Sequence, residues 1–182
     1  MKIKLFLTVN LIVLIPLCLL RRRLLLSMYQ KDHITIRSEL KLLNQVQNWF
    51  ELFCSQNLYQ CGWSEAQVDH LSLALAEGFT NAVRHAHHDL PPETTIDIEV
   101  SLWASRLEIR IWDRGKPFNP DMISEPKPGT LQAGGYGWFL LRRLSDRVAY
   151  ECVDSDVREN SEPRRNCLLI LKYLSPPEQE DK

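Results

Sequence analysis

The sequence predicts an α+β sandwich, with helices packed on one face of a sheet. Three observations carry that expectation. Two early segments repeat apolar residues at helical spacing; a central segment alternates apolar and polar residues on both sides of a tight turn; a short amphipathic segment precedes two further strand-like runs. The expected order is helix, helix, strand, strand, loop, helix, strand, strand.

The first helix is expected over residues 38–56, with Ser38 as N-cap and Leu42, Val46, Trp49, Phe50 and Phe53 at helical spacing. Residues 57–63 read as a loop containing Gly62. Ser64 then opens a longer helix, and Gln67 three residues on completes a capping box. Its apolar stripe is Val68, Leu71, Leu75, Ala82 and Ala86, and Pro91-Pro92 close it because proline cannot continue the hydrogen-bond ladder. Ile96, Ile98, Val100 and Leu102 alternate with Asp97, Glu99 and Ser101; beyond Ala104-Ser105, Leu107, Ile109 and Ile111 alternate with Glu108, Arg110 and Trp112. That is an antiparallel hairpin with one buried face. Residues 117–133, with four prolines, read as a loop, and Gly134-Gly135-Tyr136-Gly137 leads into a short helix over 138–145. Residues 147–153 and 167–174 read as strands joined by a polar loop over 154–165.

Composition narrows the classes. Hydrophobic residues at 45% and charged residues at 25% suit a chain that buries a core. A formal net charge of -1 argues against direct nucleic-acid binding, which favours a basic surplus. The five cysteines, Cys18, Cys54, Cys61, Cys152 and Cys167, are scattered and never form CxxC, a pattern of buried thiols in a reducing compartment. Residues 1–27 form a hydrophobic leader: between positions 5 and 20 only Thr8, Asn10 and Pro16 are not apolar, and Arg21, Arg22 and Arg23 follow. Such a helix spans about 24 Å against a hydrocarbon core of about 30 Å. Three readings stand: a membrane anchor held by the arginines, a signal peptide without a clear cleavage site, or an over-extended start ahead of Met28. Residues 28–175 are expected to form the folded domain, and residues 176–182 a polar tail.

Three features carry chemistry. Glu77, Asn81 and His85 are spaced i, i+4, i+8 and so run along one side of the second helix, away from its apolar stripe. Asp113-Arg114-Gly115 follows the second hairpin strand, placing a carboxylate where the chain turns into a crevice. Gly134, Gly135 and Gly137 stand directly before a helix, where bare backbone amides and the helix N-terminus suit phosphate. Each feature alone has a plainer reading: a solvated stripe, a turn, a hinge. The glycines lack the ending of a Walker A loop and the βαβ setting of a Rossmann fingerprint.

Taken in this order and at these separations, E-x-x-x-N-x-x-x-H, D-x-G and G-G-x-G resemble the N, G1 and G2 boxes of the GHKL ATPases. The stretches 76–86, 113–120 and 134–146 are most similar to the anti-sigma-factor serine/threonine switch kinases, and the resemblance covers about residues 34–174. It implies the Bergerat fold, a two-layer sandwich with a mixed, mostly antiparallel sheet. It implies ATP and Mg²⁺ as cofactors, with Asn81 as the metal ligand and His85 in the same box. Asp113 would accept the adenine amino group, Gly115 would let the backbone approach the base, and Gly134, Gly135 and Gly137 would wrap the phosphates. Glu77 would take the proton of a serine or threonine hydroxyl as the γ-phosphoryl moves. The implied partners are a sigma factor or similar regulator, a small anti-anti-sigma-type protein as substrate, and a second copy of the chain. The implied location is the cytoplasm, at the inner face of the membrane should residues 5–20 insert.

The chain also departs from the family. Lys116-Pro117 replaces a second glycine common in the first glycine box, Trp138 stands where a smaller aliphatic residue is usual, and the 154–165 loop has no evident counterpart. His85-Ala86-His87-His88 lacks a carboxylate or cysteine at ligand spacing, so it reads as a solvated helix end rather than a transition-metal site. Two rival functions remain: a non-catalytic binding module whose surface is set by nucleotide, and a fragment of a histidine kinase. The latter needs a phospho-accepting histidine upstream, and residues 38–56 contain none.

Overall fold

The computed structural model describes residues 28–117, 119–122, 136–153 and 165–174. Its first element is a strand that the periodicity did not predict, β1 (Met28–Arg37). Only Ile34 and Ile36 mark its inward side, too short a repeat to register as alternation. They pair with Ile98 and Ile96 of β2 (Thr95–Trp103). The strand lies at the sheet edge, and the polar residues that hid it from view, such as Lys31 in its ion pair with Glu99, are what an exposed edge requires.

Ser38 does not cap the first helix. Its N–H donates to the carbonyl of Thr94 at 2.9 Å, which extends the strand pairing by one residue. A 3-10 turn, Leu40–Leu42, then leads into α1 (Leu43–Asn57), which has no side-chain cap and buries Val46, Phe50, Phe53 and Cys54. Burial pushes the Cys54 thiol up to about 12, leaving it an inert core residue. The Trp49 indole N–H donates to Asp32 at 3.0 Å, tying α1 to β1.

α2 (Glu65–Asn81) begins as expected. Ser64 Oγ accepts from the Gln67 N–H at 3.3 Å while Gln67 Oε1 accepts from the Ser64 N–H at 3.1 Å, so two end donors are satisfied reciprocally. Gln67 Nε2 also donates to the carbonyl of Leu174 at 3.0 Å and fastens the start of α2 to the far end of the sheet. At its other end α2 runs into a π-helical turn, Ala82–Ala86. Gly78 sets how close α2 lies to the sheet: a Cβ there would stand 2.5 Å from Ile111 Cδ1 and 3.0 Å from Leu168 Cδ2.

β2 and β3 (Arg106–Asp113) form the expected hairpin, with Ile98 opposite Ile111 and Val100 opposite Ile109. After α3 (Tyr136–Leu144) come β4 (Arg147–Val153) and β5 (Arg165–Tyr173). The five strands run β1-β2-β3-β5-β4, every described pairing being antiparallel. The core lies between the sheet and the helices, centred on Phe50, Phe79, Leu71, Ile98, Ile109 and Ile170. On the opposite face, Glu108 is buried between Arg106 at 2.7 Å and Arg110 at 2.6 Å. Among the described residues no helix is long and apolar enough to cross a membrane; the leader at 5–20 lies outside them, as does the tail.

Candidate nucleotide site

The C-terminal part of α2, the end of β3, the start of α3 and the inner face of β4 and β5 enclose a cavity of about 420 Å³. That is the size of a pocket for a small organic ligand. Apolar walls come from Ile111, Leu141, Leu168 and Trp138, while Asn81, His85, Asp113 and Tyr150 supply polar groups. Trp138 is buried, so the bulkier residue at this place is accommodated as cavity wall, with the Arg142 guanidinium 5.6 Å from its ring centre.

Asp113 is the most constrained polar residue of the cavity, only 3% exposed. Its Oδ1 accepts from the Gly115 N–H at 2.9 Å, closing a tight side-chain turn, and from Asn166 Nδ2 at 2.8 Å. Its Oδ2 accepts from the Tyr150 hydroxyl at 2.9 Å. Asn166 Nδ2 also donates to the Gly115 carbonyl at 2.9 Å, so β5 holds both the carboxylate and the turn behind it. Burial, then the charge and hydrogen bond of Asp113, push the Tyr150 hydroxyl far above its usual range, which keeps it a donor. Both oxygens are thus met by donors, and the carboxylate is held as an acceptor on the cavity wall. Gly115 packs against the π turn: a Cβ there would lie 2.6 Å from Ala86 Cα and 2.7 Å from Ala86 Cβ.

The polar stripe of α2 divides. Asn81 and His85 line the cavity, whereas Glu77 is not part of its wall. Glu77 lies against α3, where a Cβ on Gly137 would collide with its carboxylate and stand 3.3 Å from Asn81 Nδ2. Glycine at 137 is therefore what lets α3 close over Glu77 and Asn81 together. Gly134 and Gly135 lie outside the described residues.

Three residues of the site were missed by sequence reasoning. Tyr150 shares the inner face of β4 with Val148, which alternation alone indicates, but its meeting with Asp113 depends on the neighbouring strands. Asn166 faces Asp113 through the β3–β5 register, which no local pattern encodes. The sequence pattern places His87 in a solvated helix end, but the residue is only 6% exposed. Its N–H donates to the Ala82 carbonyl at 2.9 Å to complete the π turn, and its Nε2 accepts from the Arg114 N–H at 2.9 Å. The wider turn brings the ring inward to the base of the Asp113 turn.

Residues 37–167 match the family model described as the histidine kinase-like ATPase domain. The chain belongs to the histidine kinase-like ATPase family. Within the family it is similar to serine-protein kinases named RsbW. That of Halalkalibacterium halodurans is 32% identical over 129 residues, which cover 66% of this chain and 72% of the relative. That of Oceanobacillus iheyensis is 34% identical over 95 residues, covering 48% of this chain and 60% of the relative. In solved structures, the RsbU and RsbW domains of a Mycobacterium tuberculosis protein share the fold, with a TM-score of 0.54 at 14% identity over 82% of this chain and 34% of that one. The match runs from the end of β1 into β5 and takes in the cavity-lining residues except Leu168.

Proposed function

We propose that the chain is an ATP-dependent protein serine/threonine kinase that acts as an anti-sigma-type switch. The observation that carries this reading is Asp113, a buried carboxylate fixed by three donors at the wall of a mainly apolar cavity. An acceptor so placed suits the exocyclic amino group of adenine and disfavours the carbonyl that guanine presents at the same position. The similarity to serine-protein kinases supports protein phosphorylation over other uses of ATP.

In this reading Gly115 keeps the turn low beside the base, and His85 borders the nucleotide. Asn81, an oxygen donor on the cavity wall, suits Mg²⁺, which when bound supplies charge neutralisation on the phosphates. Gly134, Gly135 and Gly137 present backbone amides to the phosphates. Glu77 accepts the proton of the target hydroxyl as its oxygen bonds to the γ-phosphorus, and the bond from that phosphorus to the ADP oxygen breaks. The partners are a sigma factor or similar regulator, held by the kinase, and a small anti-anti-sigma-type protein that carries the target Ser or Thr. A homodimer and a cytoplasmic location, with residues 5–20 at the inner face of a membrane, complete the proposal.

One observation favours a second reading, the nucleotide-dependent binding module. Glu77 lies behind Gly137, which lines the cavity, and is not itself part of the wall. The two readings part on Glu77→Gln, which preserves size but cannot take the proton. For a kinase, transfer of labelled phosphate from ATP to the partner falls by about 10²–10⁴ while ATP affinity holds. Asn81→Ala instead lowers Mg·ATP affinity and transfer together. A parent protein that binds its partner and never phosphorylates it would establish the module.

A further inference from the structure

We propose that His87 is a positioning residue of the nucleotide site: its neutral ring latches the Asp113–Gly115 turn to the π turn that follows Asn81, and protonation of the ring releases the latch. The inference rests on the nucleotide reading of the cavity. Its physical basis is a single hydrogen bond of fixed polarity. The Arg114 N–H donates to His87 Nε2 at 2.9 Å, so this nitrogen must carry a lone pair and the ring proton must sit on Nδ1. Nδ1 is itself buried and has no hydrogen-bond partner among the described residues.

The latch joins the two parts of the site that must keep register. The His87 backbone closes the π turn through Ala82, and Asn81 immediately precedes that turn. Arg114 lies between Asp113, the end of β3, and Gly115, whose missing side chain lets the turn rest on Ala86. The His87 ring therefore bridges the helix end that bears Asn81 and the turn that aims Asp113. An imidazolium cannot make this bond. Its Nε2–H would point at the Arg114 N–H, donor against donor, and its charge would be buried.

Burial is the largest influence on the ring and holds its pKa below 6.5; the charge of Asp113 opposes that shift and the charge of Arg114 adds to it. Near neutral pH the latch is closed. Acidification opens it.

The test compares Mg·ATP affinity between about pH 8 and about pH 5 in the parent, His87→Gln and His87→Phe. Glutamine places a non-titrating acceptor near the Nε2 position, whereas phenylalanine fills the space and accepts nothing. Titration of the ATP phosphates is common to all three proteins and cancels in the comparison. Over the pH range in which the His87 ring takes up its proton, the parent should lose about tenfold more affinity than His87→Gln. His87→Phe should bind about five- to tenfold more weakly than the parent near pH 8, with no added dependence on acid. Profiles for the parent and His87→Gln that stay superimposable while the His87 ring titrates would overturn the latch. A nucleotide-free measurement separates its failure from that of the ATP reading. In ¹⁵N NMR the latch requires a neutral ring protonated on Nδ1 and an Arg114 amide whose protection, relative to its intrinsic exchange rate at each pH, falls as His87 is protonated, in the parent but not in His87→Gln. A ring protonated on Nε2 at neutral pH sinks the proposal outright. Were no form to bind ATP at any pH, the nucleotide reading and the positioning role would fall together, and the NMR would still decide the hydrogen bond.

Discussion

A buried carboxylate needs donors, and Asp113 draws them from its own turn, from β4 and from β5. Asp113→Ala deletes the acceptor from the cavity wall and leaves the Tyr150 and Asn166 donors without it. A hydrogen bond to a charged group contributes about 1.5–3 kcal/mol, so ATP affinity should fall roughly tenfold to a hundredfold, and the preference for ATP over GTP should fall with it. Tyr150→Phe is the milder comparison. It keeps the ring in the wall but removes one donor, so the loss should be nearer fivefold, about 1 kcal/mol. Calorimetric titration of both variants with ATP and GTP checks the pair. If Asp113→Ala retained the parent's preference for ATP, Asp113 would be only a turn residue. At this scale Asp113, Asn81 and His85 were legible because a short motif carries each of them. Tyr150, Asn166 and His87 were not, because each becomes part of the site only when strands come into register or a helix widens into a π turn.

Elements were legible in proportion to the length of their apolar repeat. The hairpin, α2 with its capping box, and the late helix with its two strands all follow patterns of several turns or alternations. β1 escaped notice because a charged edge strand has little alternation to show, and α1 begins late because Ser38 is engaged by Thr94. Close approach between elements is set by glycines, and two of them should differ in what a methyl group costs. Gly78→Ala drives a methyl into Ile111 and Leu168 beneath α2. Overpacking of this kind costs about 1–3 kcal/mol, which urea denaturation would record as a lower midpoint at an unchanged slope. Gly137→Ala meets mainly the end of the Glu77 side chain, which can swing aside. That variant should melt close to the parent while losing phosphotransfer, because the displaced carboxylate is the proposed base. Equal destabilisation by the two changes would mean that α3 packs on α2 as rigidly as α2 packs on the sheet.

For the whole molecule, the cavity joins α2, α3 and the sheet, so a ligand that fills it stabilises elements distant in sequence. Binding to the folded state alone adds RT ln(1 + [L]/Kd), about 2.7 kcal/mol when Mg·ATP is at a hundred times its dissociation constant. For a domain of 150–250 residues, each kcal/mol raises the melting temperature by about 2–4 °C, giving a shift of roughly 5–11 °C. The same relation links this shift to the residue at the cavity wall. At that fixed ATP concentration, a tenfold to hundredfold weaker Asp113→Ala variant sits at only about ten times to once its own dissociation constant. Its stabilisation should therefore shrink to between about 1.4 and 0.4 kcal/mol. Thermal melts of parent and variant with and without Mg·ATP measure both quantities in one experiment. A parent melt unmoved by millimolar Mg·ATP would remove the nucleotide from the account. Equal shifts in parent and variant would keep the nucleotide and place it away from Asp113.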